Sequence, residues 1–298
     1  MSRSYRRARS IRAIVGLLLG VAACRSHAAA PRRLALVDDA GDTTLVAAPA
    51  SRVASLIPAT TELLFAIGSG DAVVGRTAWC DYPPAAAAIA NLGDGISPNL
   101  EAILATHPDL VILYNSTRNA EAAVQLRNAG VPALRLNTDH LADVGRVARL
   151  LGRATGHARG ADSVAATFDT ALAAATVEPG PHAPKVLLLV WEQPPMTIGR
   201  GSFLSELVER AGGHNLFDDV TASAGTVSIE AVAARNPDLI LTATEGPVSF
   251  IARPEWQVVR AVRERRLIRV SGSEFNRPGP RSAAAIRELA ERFREAVR

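Results

Sequence analysis

One segment of this 298-residue chain occurs twice. Asn99-Leu-Glu-Ala-Ile-Leu-Ala-Thr-His-Pro-Asp-Leu-Val-Ile-Leu113 returns as Ser228-Ile-Glu-Ala-Val-Ala-Ala-Arg-Asn-Pro-Asp-Leu-Ile-Leu-Thr242, an offset of 129 residues. A second echo pairs Glu62-Leu-Leu-Phe-Ala-Ile-Gly68 with Glu206-Leu-Val-Glu-Arg-Ala-Gly212. Self-similarity at long spacing means that one supersecondary unit is built twice. The chain therefore folds as two homologous lobes.

Around the repeats, short β-rich runs alternate with helical spacing, the pattern of α/β layering on a parallel sheet. Strands are expected at Val53-Ile57, Ala72-Gly75, Leu110-Tyr114, Ala133-Asn137, Val186-Trp191, Leu239-Thr242 and Leu267-Val270. Helices are expected at Thr61-Ile67, Asn99-Thr106, Ala120-Ala129, Ser202-Ala211, Ser228-Arg235 and Ser282-Val297. Leu141 to Thr176 breaks the rhythm with Ala, Leu and Val at helical spacing and no Pro, and is read as one long helix. The predicted fold is α/β: two Rossmann-like lobes, residues 50–140 and 184–298, joined by a single long backbone helix over 141–176, with a ligand cleft between them.

With 48% hydrophobic residues and only two Cys, the chain is neither disordered nor a disulfide scaffold. Its formal charge of +4 rests on Arg3, Arg6, Arg7, Arg9 and Arg12, without which it falls to −1. No basic tract remains to bind nucleic acid. Those arginines precede the apolar run Ala13 to Ala23, too short to span a bilayer, so residues 1–30 read as a secretory signal peptide. Two cleavage sites compete. Val21-Ala22-Ala23-Cys24 has the form of a lipobox, which would leave Cys24 lipidated, and Ser26-His27-Ala28 is a small-x-small site for ordinary signal peptidase. In either case Cys24 leaves the fold and Cys80 has no internal partner.

No Gly-x-Ser-x-Gly, P-loop, His-Glu-x-x-His or dinucleotide glycine fingerprint is present, and the six His show no metal-ligand spacing. No catalytic or metal site is expected. His107 reads as a helix-end residue, and His140 as one that borders the cleft. Ligands of parallel α/β lobes meet the loops at the carboxyl ends of strands. Of thirteen aromatics, Trp79, Tyr82, Tyr114, Trp191 and Phe275 fall in such loops, as does Arg277, a set suited to a large, planar, partly apolar ligand. Trp256 reads as core. Glu101 and Glu230 occupy equivalent first helical turns. The helix dipole alone explains an acid there, while the symmetry suits docking on a two-fold basic partner.

Arg52-Val-Ala-Ser-Leu-Ile-Pro-Ala-Thr-Thr-Glu-Leu-Leu-Phe-Ala-Ile-Gly68, Cys80-Asp-Tyr-Pro-Pro84, Asn99-Leu-Glu101 with Pro108-Asp109, Gly201-Ser-Phe-Leu204 and Asn276-Arg-Pro-Gly-Pro-Arg281 together resemble the helical-backbone substrate-binding proteins of ABC importers, which carry cobalamin, ferric siderophores or haem. The likeness is greatest to the cobalamin-binding type. It implies a periplasmic protein, performing no chemical step and holding no cofactor of its own, that carries a cobalt- or iron-containing chelate. It also implies a monomer that meets the membrane through an ABC permease dimer with its ATPase subunits, and through a lipid anchor if Cys24 is modified. On this resemblance Trp79 and Tyr114 fall on ligand-stacking rings, Arg277 on a polar contact, and Glu101 and Glu230 on permease docking. Two departures stand out: Gly95 and Ala224 replace Trp. A haem carrier would draw an axial ligand from Tyr82 or Tyr114. A siderophore carrier would use Arg76, Arg277 and Arg281. An exported enzyme without a recognisable catalytic motif is the reading from another class, and an adhesion or structural lipoprotein would leave the cleft without a use.

Overall fold

A computed structural model describes residues 32–243 and 247–297. The signal peptide and Cys24 lie outside the described residues. Strands β1 (Arg32–Val37) and β2 (Thr43–Ala48) form a small sheet. Asp38 closes the turn between them by accepting from the Ala40 and Asp42 amides, and its other oxygen accepts from the Arg135 amide. The first lobe thus begins nearer residue 32 than residue 50.

That lobe continues as β3 (Val53–Ser55), α1 (Pro58–Ala66), β4 (Val73–Arg76), α2 (Leu100–Ala105), β5 (Leu110–Tyr114), α3 (Thr117–Asn128) and β6 (Ala133–Leu136). Its four strands are parallel, in the order β4-β3-β5-β6. Two helices follow, α4 (Asp143–Thr155) and α5 (Ala158–Ala175). The second lobe comprises β7 (Lys185–Glu192), β8 (Pro195–Ile198), α6 (Phe203–Arg210), β9 (His214–Asn215), β10 (Ala224–Thr226), α7 (Ile229–Arg235), β11 (Leu239–Thr242), α8 (Arg260–Arg263), β12 (Leu267–Arg269) and α9 (Ser282–Val297). Its sheet runs β10-β8-β7-β11-β12, with β9 also paired to β7. The pairs β7/β11 and β11/β12 are parallel, while β8 and β10 extend the sheet antiparallel.

The sequence repeat has a structural cause in each lobe. Asn99 caps α2 by accepting from the Ala102 amide at 3.0 Å, and Ser228 caps α7 by accepting from Ala231 at 3.1 Å. Both helices end on a left-handed residue, His107 at φ 46° and Asn236 at φ 50°. The aspartates after the prolines then tie neighbouring strands together. Asp109 accepts from the Ser51 and Arg52 amides at the start of β3, and Asp238 accepts from the Lys185 amide at the start of β7. The second echo ends in Gly68 and Gly212, at φ 88° and 85°, where a Cβ would be strained.

The expectation of one helix over 141–176 is corrected. Gly156 adopts φ 77° and closes α4, so the chain reverses into α5. The two helices then pack as a hairpin, with Gly152 so close to Ala161 that a Cβ there would sit 2.5 Å away. Only α5 leads to the second lobe, where it packs on α9 and where the Val177 amide donates to the Arg210 carbonyl at 2.7 Å. Buried Ala161, Ala165, Phe168 and Ala175 give α5 its apolar face. The main core runs unbroken from Val53 and Leu64 of the first lobe through Val147 and Phe168 to Val186 and Leu289 of the second. Trp256 is core as expected, its ring centroid 4.8 Å from that of Phe250. Cys80 is buried and free, against the hydroxyls of Thr61 and Thr77.

The lobes are also joined by charge, and the glutamates of the second echo do it. Glu62 on α1, 3% exposed, receives Arg281 in a bidentate pair with Nε–Oε1 at 3.0 Å and Nη2–Oε2 at 2.9 Å. Arg281 also pairs with Glu274 and lies 3.9 Å above the Tyr82 ring. On the other side of the pseudo-symmetry, Glu206 on α6 accepts from His140 Nδ1 and, at 3.0 Å, from the Leu141 amide. The hydrogen bond to Glu206, with the carboxylates of Asp143 and Asp139 nearby, raises His140 above its ordinary pKa of 6.5 despite partial burial.

Two outcomes follow from these ties. Arg281→Met strands a buried carboxylate and should lower stability by about 3–5 kcal/mol in denaturant unfolding. Adding Glu62→Gln to it should recover part of that loss. The His140 contact is fully made below pH 6.5 and weakens as pH rises through its raised value. NMR titration should place the His140 midpoint above 6.5, and Glu206→Gln should bring it back down.

Candidate ligand-binding cleft

A cavity of about 920 Å³ opens where the carboxyl ends of the strands of the two lobes face each other. Trp79, Tyr114 and His140 line it from the first lobe, and Phe203, Asn276 and Arg277 from the second. Tyr114 ends β5, Phe203 begins α6, and the others lie in loops that follow a strand, as expected for parallel sheets. Pro58 at the start of α1 and Ser202 before α6 also line it, so two helix N-termini open on the cavity and favour electronegative ligand groups.

Trp79 is 64% exposed, a large ring held at the surface of the cleft. Tyr114 donates its phenol proton to Asp139 at 2.9 Å. Burial and that hydrogen bond push its pKa up to about 12, so it stays a neutral phenol. Arg277 donates to the Trp79 carbonyl at 3.1 Å, pairs with Asp81, and places Nε 3.8 Å from Glu62. Burial acts to raise Asp81, but the hydrogen bond and charge of Arg277, together with lesser contacts, carry its carboxyl below the usual range. Arg277 therefore fixes the Trp79 loop of one lobe against the other while forming part of the wall.

The remaining expected ligand contacts lie elsewhere. Phe275 is corrected: at 2% exposure it packs in the main core, and its neighbours Asn276 and Arg277 reach the cleft instead. Trp191 sits in the β7–β8 hairpin, where its indole N–H donates to the Gln193 carbonyl at 2.7 Å, and it does not line the cavity. Tyr82 is drawn under Arg281 and is also off the lining. Of the three arginines expected for anionic chelates, Arg76 is spent on the carbonyls of Thr77 and Ala87, and Arg281 on Glu62 and Glu274. Gly201, Ser202 and Phe203 were missed as lining residues. Their signal was the Ser202 cap that starts α6 at the sheet's carboxyl edge.

Glu101 and Glu230 are exposed and enter no ion pair among the described residues. Since α2 and α7 each lead directly into a strand, their N-terminal turns lie toward the carboxyl edges that border the cleft. The Glu230 amide and the Ser228 hydroxyl hold the Glu230 carboxyl below the usual range, so it is ionised near neutrality.

Comparison with known proteins places the fold that carries this cleft. Residues 53–273 match the family model described as periplasmic binding protein. The vitamin B12-binding protein of Pectobacterium atrosepticum is 29% identical over 250 residues, covering 82% of this chain and 88% of the relative. An uncharacterized ABC transporter substrate-binding lipoprotein of Bacillus subtilis, YvrC, is 30% identical over 270 residues, covering 86% of this chain and 84% of the relative. Among solved structures, the periplasmic heme-binding protein RhuT of Roseiflexus superposes with a TM-score of 0.73 at 28% identity, covering 83% of this chain and 99% of RhuT. A matched model over most of the chain and relatives of nearly equal length lead to one conclusion: this chain belongs to the periplasmic binding protein family.

Proposed function

We propose that the protein is the extracytoplasmic receptor of an ABC importer, that it captures a corrinoid in the cleft between its lobes, and that it delivers the ligand to a permease dimer without a chemical step. The observation that carries this reading is the cleft itself: one cavity of about 920 Å³ with an exposed indole, a neutral phenol and two helix N-termini on its walls. Rings suit the apolar faces of a macrocycle, and helix N-termini suit its amide and phosphate periphery. The relative named for vitamin B12 supports the corrinoid, and the relative named a lipoprotein supports an anchor at Cys24.

Haem is the second reading, favoured by the likeness to RhuT. Its iron would need a ligand from the protein. The Tyr114 phenol, raised to about 12 and bonded to Asp139, resists becoming a phenolate, and His140 is held by Glu206. A corrinoid that already carries its axial ligands makes no such demand. Anionic ferric chelates are less suited still, because the arginines near the cleft are engaged with acids and carbonyls.

Equilibrium binding of cyanocobalamin, haem and ferric hydroxamates separates these ligands, and cyanocobalamin is expected to bind with one site per chain. Two independent sites, or retention of haem alone, would reject the corrinoid. Trp79→Ala should weaken the bound ligand by about 1–3 kcal/mol, the scale for losing a large stacked ring. An unchanged constant in a folded variant would remove Trp79 from the site. For delivery, Glu101→Ala with Glu230→Ala should leave the binding constant in place and reduce uptake in cells making equal amounts of receptor, since exposed charges at a docking face govern association and register. Normal uptake by the double variant would return both acids to the role of helix-end charges.

A further inference from the structure

Beside the main cleft lies a second cavity of about 540 Å³, within the range of small-molecule sites, roughly 300–1,000 Å³. Ile57, Pro58, Trp79 and Tyr114 line both cavities, so the second is a branch of the first. Leu56 and Ile96 add apolar wall, and Ile96 is 69% exposed at its rim. The rim is held in place because Asp94 accepts from the Ile96 amide at 2.8 Å and from the Ser97 amide at 2.9 Å. Gly95 forms part of the wall at φ 76°, where any Cβ would lie 2.6 Å from the Leu56 carbonyl oxygen. A side chain at that position cannot occupy the branch.

Asp94, Ser116, Arg118 and Asn119 interrupt this apolar lining, and of these Asn119 holds a buried acceptor without a partner. Asn119, 2% exposed, donates its side-chain amide to the Tyr114 carbonyl at 2.8 Å, which fixes Oδ1 as the side chain's acceptor. Oδ1 has no hydrogen-bond partner among the described residues. A buried acceptor left unpaired is costly, and a donor brought by a ligand relieves it. Aromatic walls with one waiting acceptor define the complement: a flat aryl group with a single N–H or O–H.

We propose that the branch lined by Trp79, Tyr114, Ile96 and Asn119 is a second compartment of the binding site that takes an aryl substituent bearing one hydrogen-bond donor. This rests on the reading that the main cleft holds a ligand, because the shared walls make the branch a place for an arm of that ligand. The branch can nevertheless be probed alone. Indole carries the aryl surface and the N–H, and indene is its isostere without the donor.

Each compound is titrated into the full mature chain, and the Gly95 amide and Trp79 indole resonances are followed by NMR. Indole should shift both to saturation and bind about two- to tenfold tighter than indene, the scale of one net hydrogen bond. Ile96→Trp, which fills the rim, should abolish those shifts, and Ile96→Ser, which removes apolar wall, should weaken them, with folding of each variant checked by its melting temperature. Absence of saturable shifts, equal affinity for indole and indene, or shifts untouched by both Ile96 variants would overturn the compartment. Chelate binding measured on the same samples keeps the two readings apart. Indole binding without any chelate binding would reject the corrinoid and retain the branch, whereas chelate binding without an indole response would do the reverse.

Discussion

The pairing of Glu62 with Arg281 is the contact on which the geometry of the cleft depends. A carboxylate 3% exposed is tolerable only with a full set of donors, and those donors come from the opposite lobe. Arg281 opens α9, Arg277 precedes it by one turn, and together they hold the Tyr82 ring and the Trp79 loop against the second lobe. The position of the largest ring in the cleft is thus set by a charge pair at its back. His140 with Glu206 does the corresponding work on the other side, in a more exposed setting where the strength of the contact varies with pH. That two glutamates at equivalent places in a repeat each reach the opposite lobe gives the ties an approximate two-fold relation.

Much of this was legible in the sequence because the repeat encodes constraints of the backbone. A cap, a left-handed helix end and an Asp that ties the next strand recur together in both lobes, so Asn99, His107 and Asp109 have counterparts in Ser228, Asn236 and Asp238. All seven expected strands form, because each is a short apolar run between turn residues. What was not legible depends on direction in space. Gly156 looks like one more residue of a helical pattern until its φ of 77° reverses the chain. Strands β8 and β10 carry little apolar alternation of their own and owe their place to pairing with β7 and with each other.

The site was read with the same mixture. Loop position after a strand pointed to Trp79, Tyr114 and Arg277, which the fold brings to the cavity wall, since parallel sheets leave their carboxyl ends open. It could not tell Phe275 from Asn276, because in a tight turn adjacent side chains face opposite ways and only packing decides which is buried. Nor could it reveal that an arginine beside the cleft was already committed to acids. Arg277 lines the cavity and Arg281 lies behind it, and their pairing with Glu62, Asp81 and Glu274 leaves little net positive potential for an anionic ligand.

The unbroken core through α5 has a mechanical meaning. A receptor whose lobes are hinged on flexible strands stores part of its binding energy in closure, and relaxes when the ligand leaves. Here buried Ala161, Ala165, Phe168 and Ala175 form the joint, and bending it would tear apolar surface from the core of both lobes. Closing or opening the cleft by a large swing of the lobes therefore carries the cost of breaking this shared packing, which small shifts of the loops around the cavity do not.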